Sequence, residues 1–258
     1  MNELQNFLNA LQFYTRIPLG KSVKYTPKRQ ENSIRYFPFI GLLVGVLMVF
    51  SMLLLEDYIS GFPSIILGLL VGVLFTGALH EDGLADCCDG FGGGWTKEKV
   101  LSIMKDSSIG AYGAIGLIFL FALKISFIFN LINQFDDSVF LYSMLLVQVL
   151  SRASAVSMLS FLDYARTDDS SKSKEVARRL SSANTLIVLF SFVAAIVSFC
   201  LLLDDYRILW VIPVLGVLVV LMGLYFKKRI GGYTGDCLGM LQQLSELALY
   251  LTILILWS

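Results

Sequence analysis

Seven apolar stretches of near-bilayer length constrain this chain more than any other feature: Tyr36–Leu55, Phe62–Leu79, Ala111–Ile132, Val139–Phe161, Leu186–Leu203, Ile208–Phe226 and Leu238–Trp257. About 20 consecutive apolar residues carry an α-helix across a hydrocarbon core, where every backbone N–H and C=O must be satisfied within its own segment. A closed β-barrel would show short alternating segments instead. Charged residues make up 16% of the 258, against roughly 25% in soluble domains. The expected fold is all-α: a polytopic membrane bundle of seven transmembrane helices forming one domain over residues 1–258, with interfacial helices beside it.

The charges orient the bundle. Seventeen of the twenty Lys and Arg fall in four segments that alternate with the spans: Arg16–Arg35, Lys97–Lys105, Arg166–Arg179 and Lys227–Arg229. The opposite connections read Glu56-Asp57, Asp136-Asp137 and Asp204-Asp205, with Arg207 their only cation. Basic loops remain on the cytoplasmic side, so the N-terminus is expected inside and the C-terminus outside. The net charge of zero identifies no partner, and no nucleic acid is expected. Cys87, Cys88, Cys200 and Cys237 show no zinc-type spacing, and an adjacent Cys87-Cys88 bridge would be strained, so free packed thiols are expected. The first 30 residues lack the charged-then-apolar pattern of a signal peptide.

Residues 1–17 place Leu4, Phe7, Leu8, Leu11 and Tyr14 on one helical face, an amphipathic stretch expected in the interface or beside the bundle. Gly20–Asn32 reads as a basic connector that serves as an orientation signal or attracts anionic headgroups or substrate. Gly41 and Gly45 form a G-x-x-x-G pair, which suits close helix packing within the chain or in a homo-oligomer. Three ionisable residues lie inside spans: Lys124, Arg152 and Glu246. Such residues are costly in lipid, which leaves two readings, a functional pathway or an Arg152–Glu246 ion pair. The polar run that follows Arg166 to Ser182 reads as a solvated loop with an amphipathic portion around Lys174–Leu180.

Chemistry concentrates between His80 and Gly113, which holds six of the twenty acidic residues. On a helix Asp82, Asp86 and Asp89 fall at i, i+4 and i+7 and share a face. Like charges on one stripe call for a cation, and an all-oxygen set suits Mg²⁺ shared with substrate phosphates. Gly90-Phe91-Gly92-Gly93-Gly94 follows and is read as a loop whose N–H groups approach phosphate. Thr96 caps a short interfacial helix, Lys105 and Asp106 come next, and small residues (Gly110, Ala111, Gly113) open the third span. A second glycine-rich turn, Gly231–Asp236, contains Thr234 and Asp236 on the same side of the membrane. Arg35 lies at that boundary too and could face a phosphate.

These residues resemble the cobalamin synthase family, the adenosylcobinamide-GDP ribazoletransferases. The pattern His-x-Asp-Gly-x-Ala-Asp-x-x-Asp-Gly-x-Gly-Gly-Gly is met by His80, Asp82, Gly83, Ala85, Asp86, Asp89, Gly90, Gly92, Gly93 and Gly94. Similar matches are Phe13-x-Thr15-Arg16-x-Pro18, Tyr36-Phe37-Pro38-x-x-Gly41, Met104–Ser107, Arg152, Tyr164-Ala165-Arg166 and Gly231-Gly232-x-Thr234-Gly235-Asp236. The resemblance implies a Mg²⁺-dependent phosphoryl transfer on the cytoplasmic face of the inner membrane. The ribose 3′-hydroxyl of α-ribazole, or of its 5′-phosphate, attacks the corrinoid-side phosphorus of adenosylcobinamide-GDP, and GMP leaves. It assigns Mg²⁺ to Asp82 and Asp86, with Asp89 a third ligand or the base. Lys105, Arg152, Arg166 and the glycines would hold phosphate oxygens, and Asp106 and Asp236 would complete the metal shell or position a cation. His80 is either a general base or structural.

Two other enzyme classes place aspartates against a membrane pocket, the prenyltransferases and the CDP-alcohol phosphotransferases. Asp82-Gly83-Leu84-Ala85 is similar to the latter's motif, but Asp86 stands where that motif has Arg. A lipid pyrophosphate is therefore the alternative substrate. A transporter would use Lys124, Arg152 and Glu246 as an ion path, yet the chain shows no paired halves with broken helices.

Overall fold

The computed structural model describes residues 3–20, 23–55, 58–59, 61–166 and 180–257. The helices run α1 (Glu3–Tyr14), α2 (Pro27–Ser33), α3 (Phe37–Leu55), α4 (Phe62–Thr76), α5 (Leu79–Gly93), α6 (Lys97–Ile103), α7 (Ala111–Gln134), α8 (Asp137–Ser157), α9 (Ser182–Leu203), α10 (Val211–Ile230) and α11 (Gly235–Trp257). No strand occurs among the described residues; Tyr164 and Tyr233 form an isolated parallel bridge. The expected amphipathic portion around Lys174–Leu180 lies outside the described residues, apart from Leu180.

Local signals set the boundaries. Thr26 caps α2 by accepting from Arg29 N at 3.2 Å, with Pro27 in the first turn. The connector expected over Gly20–Asn32 is therefore partly helical, and it buries Gln30, Asn32 and Ser33. Thr96 caps α6 by accepting from Lys99 N at 3.3 Å, as its sequence predicts. On α1 the buried face contains Asn6, Asn9, Ala10 and Tyr14, while Leu4 and Phe13 point outward. The apolar stripe read from the sequence is thus only partly turned inward.

Among the described residues six helices are long and apolar enough to cross a membrane, or seven if α4 and α5 count as one broken span. The second expected span, Phe62–Leu79, ends early, at Thr76. Gly77 (φ 68°) and Ala78 (φ 58°) are both left-handed, and the chain turns 89° into α5. A non-glycine residue in that conformation costs about 1–2 kcal/mol. α5 therefore leaves the direction of α4 and packs, as a polar helix, against α11 and α7.

α8 is the central helix: 78% of its apolar window is buried, against 22% for α7 and α9 and 17% for α10. Those outer helices expose Phe119, Phe190 and Leu221, apolar surface on a scale that soluble monomers avoid. The chain is a multi-pass membrane protein. A Cβ on Gly41 would lie 2.2 Å from the Gln148 carbonyl oxygen, so the Gly41/Gly45 pair serves α3–α8 packing inside the chain.

The three ionisable residues within spans meet at the core. Glu246 takes Lys124 Nζ at 2.6 Å and Arg152 Nη1 at 3.8 Å. Arg152 also donates to Gln148 Oε1 at 2.7 Å, and Gln243 donates to Glu81 Oε1 at 3.1 Å. All are buried. The ion-pair reading of Arg152 and Glu246 is the one the geometry supports.

Candidate active site

Close backbone approach builds the site. A Cβ on Gly83 would lie 3.0 Å from the Asp236 backbone, and one on Gly239 would lie 3.1 Å from His80 O. α5 and α11 therefore press together where each contains carboxylates, and Asp82 and Asp86 stand beside Asp236. The turn before α11 supplies a cation. Gly231 (φ 78°) ends α10, and Tyr233 pairs with the 163–165 segment through Tyr233 N to Asp163 O (3.0 Å) and Ala165 N to Tyr233 O (2.9 Å). A Cβ on Gly232 would meet Asp163 O at 2.1 Å, so only glycine permits that pairing. It brings Arg166 Nη2 to Asp236 Oδ2 at 2.7 Å. Thr234 Oγ1 accepts from Cys237 N at 3.3 Å and donates to Asp236 Oδ2 at 3.2 Å, so it both caps α11 and aims the carboxylate.

This corner has surplus negative charge. Burial, followed by the charges of Asp236 and Asp82, raises the Asp86 carboxyl to about 7, and Arg166 offsets only part of it. Among the described residues no three His, Cys, Asp or Glu side chains are gathered tightly enough to hold an ion alone. The oxygen-only set suits Mg²⁺ that takes further ligands from phosphate.

Several sequence-predicted site residues have other work. Asp89 accepts from Gly110 N (2.7 Å) through Oδ2 and from Gly113 N (2.9 Å) through Oδ1, capping α7. Seven residues of helical rise, about 10 Å, carry it past Asp82 to the start of the neighbouring helix. Gly90 to Gly93 form the last turn of α5, not a loop. Cβ atoms on Gly90, Gly92 and Gly94 would come within 2.6 Å of Met104, Tyr112 and Val100. Gly90, Gly92 and Gly94 thus admit their neighbours closely, while a Cβ on Gly93 would make only an ordinary contact, 3.4 Å from Ile103. All but Gly94 lie in the helix, so their N–H groups form no phosphate-binding loop. Arg35 is bound to Glu3 and donates to Asn184 Oδ1 at 3.2 Å, and Arg152 belongs to the core network. Neither faces the carboxylates as an open phosphate ligand.

Sequence reading missed Arg229, which donates to Phe91 O (3.0 Å) and Gly94 O (2.7 Å) and lies over the Phe91 ring. Its guanidinium satisfies the carbonyls at the end of α5. A basic residue in the last turn of α10 gave no hint of a partner 135 residues away.

Two cavities flank the Arg166–Asp236 pair. An open polar basin of about 820 Å³ is lined by Lys97, Lys105, Asp106 and Arg166. In it Asp106 accepts from Ser108 N and Oγ, which holds its carboxyl below the usual range. A more enclosed cavity of about 270 Å³ is lined by Asp82, Asp236, Phe37, Tyr164 and Tyr233. His80 lines this cavity and also a small polar one shared with Lys124 and Arg152. Burial, then those two cations, holds its imidazole well below the usual value and therefore neutral.

A family model described as cobalamin-5-phosphate synthase matches residues 6–254. Among curated proteins, one from Shewanella sp. (strain W3-18-1), named adenosylcobinamide-GDP ribazoletransferase, is 41% identical over 256 residues, covering 99% of this chain and 96% of that protein. A protein of the same name from Shewanella oneidensis is 38% identical over 259 residues, covering 98% and 95%. No solved structure matches. With a family model spanning nearly its whole length and relatives aligned end to end, the chain belongs to the cobalamin-5-phosphate synthase family.

Proposed function

We propose that this protein is an adenosylcobinamide-GDP ribazoletransferase: it joins adenosylcobinamide-GDP to α-ribazole, or its 5′-phosphate, and releases GMP. The observation that supports this reading best is the convergence of Asp82, Asp86 and Asp236 with Arg166, which flanks a polar basin while Asp82 and Asp236 line an aromatic cavity. A pyrophosphate must be charge-neutralised before an alcohol attacks it.

Asp82, Asp86 and Asp236 would hold Mg²⁺, which when bound polarises the phosphoryl oxygens. Arg166 and Lys105, on the basin, contact phosphate oxygens and orient the corrinoid-side phosphorus. Thr234 keeps Asp236 in place, and Asp106 orders the basin's rim. His80, held neutral by burial and by Arg152 and Lys124, is a poor proton acceptor and packs as part of the site's wall; the proton of the attacking hydroxyl passes to a site carboxylate. The new bond joins the ribose oxygen to the corrinoid-side phosphorus, and the bond to the bridging oxygen breaks as GMP departs. The site faces the cytoplasm of the inner membrane, in keeping with the basic connections around it.

Purified protein in nanodiscs, given both substrates and Mg²⁺, is expected to release GMP, and a folded Asp82→Asn variant is not. No release from folded wild type sinks the reading in favour of a lipid-pyrophosphate substrate. A folded His80→Ala variant is expected to keep most of its turnover, and loss of that turnover would return the base role to His80.

A further inference from the structure

We infer that the 270 Å³ cavity is the seat of the nucleophilic substrate, and that it recognises the benzimidazole ring of α-ribazole through stacking and one hydrogen bond from Tyr233. The inference rests on the transferase reading and adds which substrate goes where.

The two cavities differ in chemistry in the way the two substrates do. The basin is wide, open and lined by cations and polar groups, which suits a nucleoside diphosphate. The smaller cavity is enclosed and largely apolar, near the lower limit of about 300 Å³ for small-molecule pockets. Its wall is aromatic: Tyr14 and Phe37 stack at 4.3 Å between centroids, and Tyr164 meets Tyr233 edge-on at 5.6 Å. Such a wall offers ring faces and edges to a flat bicyclic base. Phe13, 47% exposed, stands at the lip.

A second, independent observation concerns a polar atom. The Tyr233 hydroxyl is buried and has no hydrogen-bond partner, although the side chain is only 2% exposed. A buried hydroxyl left unpaired costs free energy, so it points to a ligand that completes it. Burial also raises its pKa, so it is present as a donor. An N-glycosylated benzimidazole has one free ring nitrogen, which is an acceptor only. With that ring against the Tyr164–Tyr233 pair, its ribose shares the cavity with Asp82 and Asp236. The hydroxyl that must attack phosphorus then lies beside Asp236, which is bound to Arg166 of the basin.

Steady-state kinetics on full-length protein in nanodiscs test this. Tyr233→Phe, which deletes one oxygen, is expected to raise KM for α-ribazole about five- to tenfold and to leave KM for adenosylcobinamide-GDP unchanged. Phe13→Ala, at the exposed lip, is expected to raise the same KM about threefold. In wild type α-ribazole alone should bind, without nucleotide or metal, and Tyr233→Phe should weaken that binding by the same factor. A rise confined to KM for adenosylcobinamide-GDP, or unchanged α-ribazole binding in both folded variants, overturns the assignment while the transferase stands. Absence of GMP release from wild type would instead remove the underlying reading.

Discussion

Two charge clusters share α11, one buried and one half-exposed, and they are balanced differently. Around Glu246, two cations (Lys124 and Arg152) face two carboxylates, Glu246 and Glu81, with glutamines filling the gaps. Around Asp236, ten residues earlier, three carboxylates face the single guanidinium of Arg166. The inner cluster balances its charges within the chain and ties α5, α7, α8 and α11 together. The outer cluster is deficient in positive charge by about what a divalent ion brings, and it opens onto two cavities. Charge balance and access to the cavities together, more than the mere presence of carboxylates, separate the structural cluster from the one set aside for chemistry.

The largest test of that contrast is Asp82→Asn. It should lower turnover about 10²–10³-fold while the melting temperature stays level or rises, since a like charge is removed. A variant that melts early yet keeps its turnover would make the outer cluster structural. Glu246→Gln should do the opposite. It leaves Lys124 and Arg152 buried without their carboxylate, at a cost of about 3–5 kcal/mol, measured by unfolding in micelles. Adding Lys124→Met should recover part of the loss, and an additive double-mutant cycle would show that the two do not interact.

Proton competition probes the outer cluster further. The Asp86 carboxyl, raised to about 7, holds its proton up to near-neutral pH in the metal-free site. As pH falls below that value the carboxyl binds a proton that Mg²⁺ must displace. The Mg²⁺ concentration for half-maximal rate should then climb, by up to about tenfold per pH unit, and saturating Mg²⁺ should restore turnover. A requirement that stays flat from about pH 6 to about pH 8 would break the link. The smallest expected effect is that of Asp89→Asn. Loss of a helix cap costs about 1 kcal/mol, and the Mg²⁺ requirement should stay near wild type. A large rise in that requirement would return Asp89 to the metal ligands.

Periodicity made much of the site legible, though unevenly. Asp82 and Asp86 do lie on one helix, and Thr96 caps α6 where expected, because these features depend only on residues within a turn or two. The glycines after Asp89 misled, since a glycine run reads equally as a loop or as a helix approached by neighbours, and only Met104, Tyr112 and Val100 decide between them. Arg35 and Arg152 misled for a similar reason. A cation near a site is a ligand or a strut according to its partners, here Glu3 and Glu246, which lie far away in sequence. Tyr233 sat unremarked within a motif whose other residues drew attention.

The sequence by itself determined an all-helical membrane bundle, its spans to within a few residues, the family, and the acidic helix with its second glycine-rich turn. All of these follow from composition, period and local spacing. Only the tertiary structure decided that Asp236 joins Asp82 and Asp86 while Asp89 leaves them. Only it showed that Gly77 and Ala78 swing α5 off its span, and that one carboxylate cluster is balanced and the other is not. The physical reason is range: helix formation is settled by neighbours along the chain, whereas charge compensation is settled by whichever side chains packing brings within a few ångströms.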